Sequence, residues 1–111
     1  MLLGLLQVYQ KAYEAADPLG LADANKKFHL ALAQATHNRV YEKLYRQLSD
    51  ACDEYVCKLF AVAENGKAAM AEHRAIADAI LARDGELAHA AMRAHVENVR
   101  DNIRDIHRRI R

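Results

Sequence analysis

The sequence predicts an all-α fold, an antiparallel helical bundle of about five helices, from three observations. Apolar residues recur every three or four positions almost throughout, no stretch alternates as a strand would, and one proline and four glycines leave few breaks. Length bounds the rest: 111 residues, 52% of them hydrophobic, make one domain, 1–111, able to bury a core if neighbouring helices cover it.

The first predicted helix, 2–16, carries Leu2, Leu5, Leu6, Tyr9 and Tyr13 on one stripe. Asp17 followed by Pro18 is a helix start, because aspartate accepts backbone N–H bonds and proline fits the first helical position. The second helix, 18–35, has a seam of Leu21, Asn25, Phe28, Leu32 and Ala35, bordered by His29; Asn25 and His29 are one turn apart on a shared face. Asn38 caps the third helix, which reaches about residue 63 through Tyr41, Leu44, Leu48, Cys52, Tyr55 and Leu59, and Glu64-Asn65-Gly66 is expected to end it. The fourth, about 67–82, groups Met70, His73, Ile76, Ala77 and Ile80. Asp84 caps the last helix, where Met92, Val96, Val99, Ile103, Ile106 and Ile110 alternate spacings of four and three and His95 lies beside Met92 and Val99.

Composition excludes several classes. A net charge of +1 attracts neither nucleic acid nor an anionic membrane, and the arginines of 104–111 fall where cations favour the negative end of a helix dipole. The apolar start is cut short by Gln7 and lacks basic residues before it, and no stretch is long enough to span a bilayer, so the expected location is cytoplasmic. Cys52 and Cys57 lie five apart on one helix and diverge by about 140°, so they should stay free thiols, as in a reducing compartment.

Three histidines, His29, His73 and His95, occupy buried sides of three different predicted helices. A lone histidine on an apolar face is usually a hydrogen-bonded core residue. Three of them, with the Asn25 amide one turn from the first, are more simply satisfied by a shared cation or a polar cavity, although spacing alone leaves the two readings balanced. His37 and His107 lack the apolar setting and are expected in solvent; His89 is undecided. Glu86-x-x-His89 is a single copy of a spacing that di-iron bundles use twice, with too few buried carboxylates around it. A mononuclear metal-dependent hydrolase is the stronger enzymatic rival, but its general base is weak, since Glu72 adjoins His73 and consecutive helical residues point about 100° apart. No Ser-His-Asp arrangement, phosphate loop, zinc-finger spacing or basic recognition helix is present, and the tyrosines at 9, 13, 41, 45 and 55 read as packing.

From Asn25 onward the motifs resemble the FCD domain, the C-terminal effector-binding domain of FadR-type regulators in the GntR transcription-factor family. The match is strongest over 25–95. Asn25-x-x-Phe28-His29-x-x-Leu32, then Asn38 opening the next helix, is similar to the family's acid-x-x-Phe-His element. Glu72-His73-x-x-Ile76-x-x-Ala79-Ile80, followed by Asp84-x-x-x-Ala88-x-x-x-Met92-x-x-His95, keeps the order and spacing of the rest.

The resemblance implies a non-enzymatic, effector-sensing domain that binds a divalent metal, zinc first with nickel or manganese as alternatives, and beside it a small organic acid, often a carboxylate. His29, His73 and His95 carry over as ligands, and Asn25 stands where the family more usually has Asp, which predicts weaker metal binding. Tyr55 and Asn98 are candidates for polar effector contacts. The implied assembly is a homodimer that does not itself touch nucleic acid. Such regulators begin with a winged helix-turn-helix domain, whereas this chain begins inside the helical domain, without the family's leading helix. A truncated regulator, a fragment and a stand-alone sensor are all open, and the stripe from Leu2 to Tyr13 is expected to need a covering partner. Two readings from other classes stand beside this one: the hydrolase, and a structural oligomerisation module with hydrogen-bonded core histidines.

Overall fold

The computed structural model describes residues 2–35 and 37–109, the side chain of residue 109 excepted. Five helices account for almost all of them: α1 (Leu2–Glu14), α2 (Pro18–Ala35), α3 (Arg39–Phe60), α4 (Ala63–Leu81) and α5 (Gly85–Arg109). The described residues contain no strand. Short connections make sequential helices antiparallel neighbours. Helix α2 lies between α1 and α3, and α4 lies between α1 and α5, so the helices form a ring. Its closing seam, where α3 meets α4 and α5, is the thinnest.

The starts follow the predicted chemistry. Asp17 Oδ1 accepts the Gly20 N–H at 3.0 Å, Asn38 Oδ1 accepts from Val40 and Tyr41 at 3.0 and 3.2 Å, and Asp84 Oδ1 accepts from Leu87 at 3.0 Å. The ends are less orthodox. At α1 the Asp17 N–H reaches the Ala12 carbonyl and the Ala16 N–H reaches Tyr13; at α4, Asp84 reaches Ala79 and Arg83 reaches Ile80. These are paired bonds of the Schellman type, and Ala16 (φ 52°) and Arg83 (φ 57°) occupy the left-handed position where glycine is usual.

One boundary differs from expectation. Helix α3 stops at Phe60 and α4 begins at Ala63, so Glu64-Asn65-Gly66 forms the first turn of α4 instead of terminating α3. Asn65 Nδ2 donates back to the Leu59 carbonyl at 3.0 Å, satisfying an end of α3 from inside the next helix. Gly66 is buried, and a Cβ there would lie 3.2 Å from Leu21 and 3.3 Å from Tyr13. Close approach, not a turn, explains this glycine.

The stripe on α1 is covered within the chain. Leu6 and Tyr9 are buried, Tyr9 packs edge-on against Phe60 and His73, and its hydroxyl donates to the Gly66 carbonyl at 2.8 Å. One core cluster joins Tyr9, Leu21, Ala24, Leu59, Phe60, Ala69 and Ile106; a second joins Leu6, Phe28, Ile76 and Ala77. The α3 seam, in contrast, is buried only at its end, through Leu59 and Phe60, while Tyr41, Leu44 and Leu48 are 54%, 52% and 65% exposed. The stretch from Tyr41 to Asp53 is tied to α2 by the Tyr45 hydroxyl, which donates to the Lys26 carbonyl at 3.5 Å, and by the Lys26 side chain, which bridges Asp50 at 3.0 Å and Asp53 at 3.1 Å. Ile80 and Val96 are likewise exposed along the open seam, and Ile110 lies outside the described residues.

Candidate metal centre and adjoining cavity

Three helices bring the histidines to one point. The spacing of α2 puts His29 beside the buried Phe28, His73 lies in the middle of the buried face of α4 between Ala69 and Ile76, and His95 enters from α5. One ring nitrogen from each lies within 4.8 Å of the others. The rings of His29 and His95 are stacked with centroids 5.1 Å apart, and His73 stands edge-on to both at 5.1 and 4.9 Å.

The three imidazoles are not equivalent. His95 Nδ1 lies 2.6 Å from Glu72 Oε1, and Glu72 Oε2 accepts from Asn98 Nδ2 at 2.8 Å. A carboxylate only accepts, so it fixes the His95 proton on Nδ1 and leaves the Nε2 lone pair facing His29 Nε2, 3.2 Å away. That contact requires a proton on His29 Nε2. His73 is fully buried, and neither of its ring nitrogens has a hydrogen-bond partner among the described residues. Burial, with His95 close by, pulls the His29 pKa from 6.5 down to about 3; burial, then His29 and His95, pulls His73 down to about 2. Both are therefore neutral at pH 7, the protonation state a metal ligand requires. An unpartnered, neutral, fully buried imidazole facing two others fits a divalent cation, as does the carboxylate that orients His95 from behind.

His29 and His95 open onto a cavity of about 840 Å³ lined mainly by α2, α3, α4 and α5, with Leu2 from the start of α1. Asn25 lines this cavity one turn before His29, so the structure brings the fourth predicted ligand to the same space. Tyr55 instead lines a separate shallow cleft with Ile103 and His107, and Asn98 is spent on holding Glu72. His89, undecided in the sequence, is exposed and lines the cavity; His37 and His107 are exposed. Cys52 and Cys57 are free. Sequence reasoning missed the partnership of Glu72 with His95. Its signal was the spacing of His95 and Asn98, three apart on α5, which presents both to the same neighbouring helix.

Comparison with known proteins agrees with this architecture. The FCD domain family matches residues 1–98. The putative L-lactate dehydrogenase operon regulatory protein of Escherichia coli K12 is 32% identical over 98 residues, covering 85% of this chain and 38% of that protein, and its Shigella flexneri namesake gives the same figures. The Uxu operon transcriptional regulator of Escherichia coli K12 is 26% identical over 111 residues, covering 88% of this chain and 40% of that protein. The chain thus spans about two fifths of the length of the curated relatives it matches. No solved structure gives a significant match.

Proposed function

The chain belongs to the FCD domain family, and from that premise we propose that it is the effector-sensing part of a GntR-type transcription regulator, in which His29, His73 and His95 hold a divalent metal and a small organic acid binds beside it. Its relatives are named as regulators, and the chain is a regulatory domain and not an enzyme. The observation that carries the site is the orphaned His73 imidazole, fully buried with its neighbours' nitrogens within 4.8 Å. A purely structural core histidine would have its ring nitrogens satisfied. Glu72 is not a free general base for a hydrolase, because its two oxygens are engaged by His95 and Asn98.

In this reading His95 would ligate through the Nε2 lone pair that Glu72 leaves free, His29 through Nε2 once its ring proton moves to Nδ1, and His73 through one ring nitrogen, with Asn25 as an oxygen donor from the cavity side. The metal, when bound, supplies a positive charge that anchors a carboxylate; zinc is the first candidate, then nickel or manganese. Glu72 keeps His95 in the ligating tautomer, and Asn98 keeps Glu72 in place. We further propose that the domain works in the cytoplasm as a homodimer, that DNA contact belongs to a separate domain of a full-length regulator, and that effector binding biases helix packing between two states. No helix among the described residues is long and apolar enough to cross a membrane.

Metal analysis tests the ligand set. Protein dialysed against zinc, nickel or manganese and then against buffer is expected to retain about one ion per chain, and His73→Ala to retain none. Equal retention by both proteins refutes the assignment. With the metal in place, a panel of organic acids should raise the melting temperature through native-state binding, and a flat response across the panel refutes the sensor.

A further inference from the structure

We infer that the acid received by this cavity is a monocarboxylate with an apolar body, of the alkanoate or arylalkanoate class, and not a short hydroxy acid, dicarboxylate or sugar acid. The inference rests on the function proposed above, in which the carboxylate sits at the histidine end.

The lining of the cavity away from that end carries it. A space of about 840 Å³ is near the top of the range that takes a drug-sized ligand, and far larger than a three-carbon acid fills. Its walls beyond the histidines are built from Leu2, Leu32, Leu48, Ile80, Met92 and Val96, side chains from all five helices. Among the described residues no lysine or arginine lines it. The one carboxylate that does is Asp53, which pairs with Lys26 at 3.1 Å and offers a second carboxylate no attraction. A dicarboxylate bound by its first group at the histidines would find no lysine or arginine among the described lining residues for its second.

Polyhydroxylated acids fare no better. Of the polar side chains on the wall, the Tyr45 hydroxyl donates to the Lys26 carbonyl at 3.5 Å, the Ser49 hydroxyl donates to the Arg46 carbonyl at 3.3 Å and Asp53 is held by Lys26, leaving Tyr41, Cys52 and His89 for several hydroxyls. Several hydroxyls buried against leucine, valine and methionine go unmet, and each unmet group lowers affinity by roughly one to two orders of magnitude. An apolar body meets the opposite balance. Each methylene removed from water on this wall should tighten binding about fourfold, until the chain fills the space.

The test is calorimetric titration of the zinc-loaded protein with acetate, butanoate, hexanoate, octanoate and 3-phenylpropanoate, each below its aggregation concentration, against L-lactate, succinate and glucuronate. The expected result is a rise in affinity of three- to fourfold per methylene along the alkanoates, with octanoate at least tenfold tighter than lactate, succinate or glucuronate. If a polar acid binds tighter than hexanoate and octanoate, and His73→Ala abolishes that binding, the apolar-body inference falls while the sensor reading stands. If the zinc-loaded protein binds none of the eight acids, both fall. Leu48→Ser supplies an independent check, since Leu48 is 65% exposed, its replacement spares the core and serine adds no charge. It should weaken octanoate at least fivefold more than acetate, with thermal unfolding confirming the fold; equal losses for both acids overturn the inference.

Discussion

Replacing His73 by leucine should make the metal-free protein more stable. In the neutral ring one nitrogen donates and one accepts, and both are buried without partners among the described residues. Leaving each unmet costs about 1–3 kcal/mol, so relieving both is worth roughly 4 kcal/mol. Against this, leucine loses the ring contacts with Tyr9 at 5.2 Å and Phe28 at 4.6 Å, together about 2 kcal/mol. The net gain at pH 7 in chelator is about 2 kcal/mol. Acid should widen it. A histidine whose native pKa is pulled from 6.5 to about 2 cannot take up the proton that the unfolded chain accepts, so stability falls as pH drops below 6.5 and keeps falling towards 2. By pH 5 that loss is about 2 kcal/mol for His73 and a similar amount for His29, whose native pKa is about 3. The parent should therefore lose about 4 kcal/mol between pH 7 and pH 5, and His73→Leu about half of that. Urea unfolding with chelator at the two pH values measures both quantities. Free zinc at a hundred times its dissociation constant should then add about 2.7 kcal/mol to the parent and little to the variant. A variant less stable than the parent by 1 kcal/mol or more at pH 7, or equally acid-sensitive, would mean that His73 is an ordinary satisfied core residue.

Glu72→Gln should weaken zinc binding by about 10- to 100-fold with the fold intact, because an amide can still accept from Asn98 but no longer fixes the His95 proton on Nδ1; competition with a fluorescent chelator reads the affinity. Asn25→Asp should tighten zinc by at least about tenfold, some 1.4 kcal/mol, by adding a charged ligand one turn before His29, and an unchanged affinity in the same assay would remove Asn25 from the coordination set. Arg83→Gly should stabilise the protein by about 0.5–1 kcal/mol in thermal unfolding, since the left-handed strain at φ 57° outweighs the extra freedom glycine gives the unfolded chain; a destabilised variant would show that the arginine side chain contributes more than its backbone costs.

What the sequence revealed, and where it stopped, follows from the range of each interaction. The caps at Asp17, Asn38 and Asp84 act within one turn, so their residues announce them. The three histidines were visible because each departs from an apolar periodicity that local spacing defines. Gly66 misled because glycine ends helices by one mechanism and admits neighbours by another, and only the approach of Tyr13 and Leu21 from two other helices decides between them. Glu72 was judged against His73, from which it does diverge; its true partners, His95 and Asn98, come from α5. The apolar stripe of α3 reads like any buried seam, yet its first half faces a cavity and solvent, because periodicity records which side is apolar and not what meets it.

That asymmetry in α3 sets where the domain gives way first. Helices α2, α4 and α5 converge on one polar cluster, from the half-buried His29 through the buried His95 and half-buried Glu72 to the exposed Asn98, where removing Glu72 strands the buried His95. The stretch of α3 from Tyr41 to Asp53 is held more loosely: the Tyr45 hydroxyl reaches the Lys26 carbonyl at 3.5 Å, and Lys26 holds Asp50 and Asp53 at the surface, where each ion pair is worth at most about 1 kcal/mol and is screened by salt. Amide exchange over residues 40–55 should accordingly run well ahead of that over 70–80, through openings that cost less than global unfolding. Raising ionic strength from 0.05 to about 0.5 M should accelerate the first segment and leave the second unchanged, because only the first is held by screened charges. Filling the cavity should slow the first segment selectively, since Tyr41, Tyr45, Leu48 and Cys52 form its α3 wall. Uniform protection across both segments, or a salt response shared by both, would mean that α3 is bound into the bundle as firmly as α4.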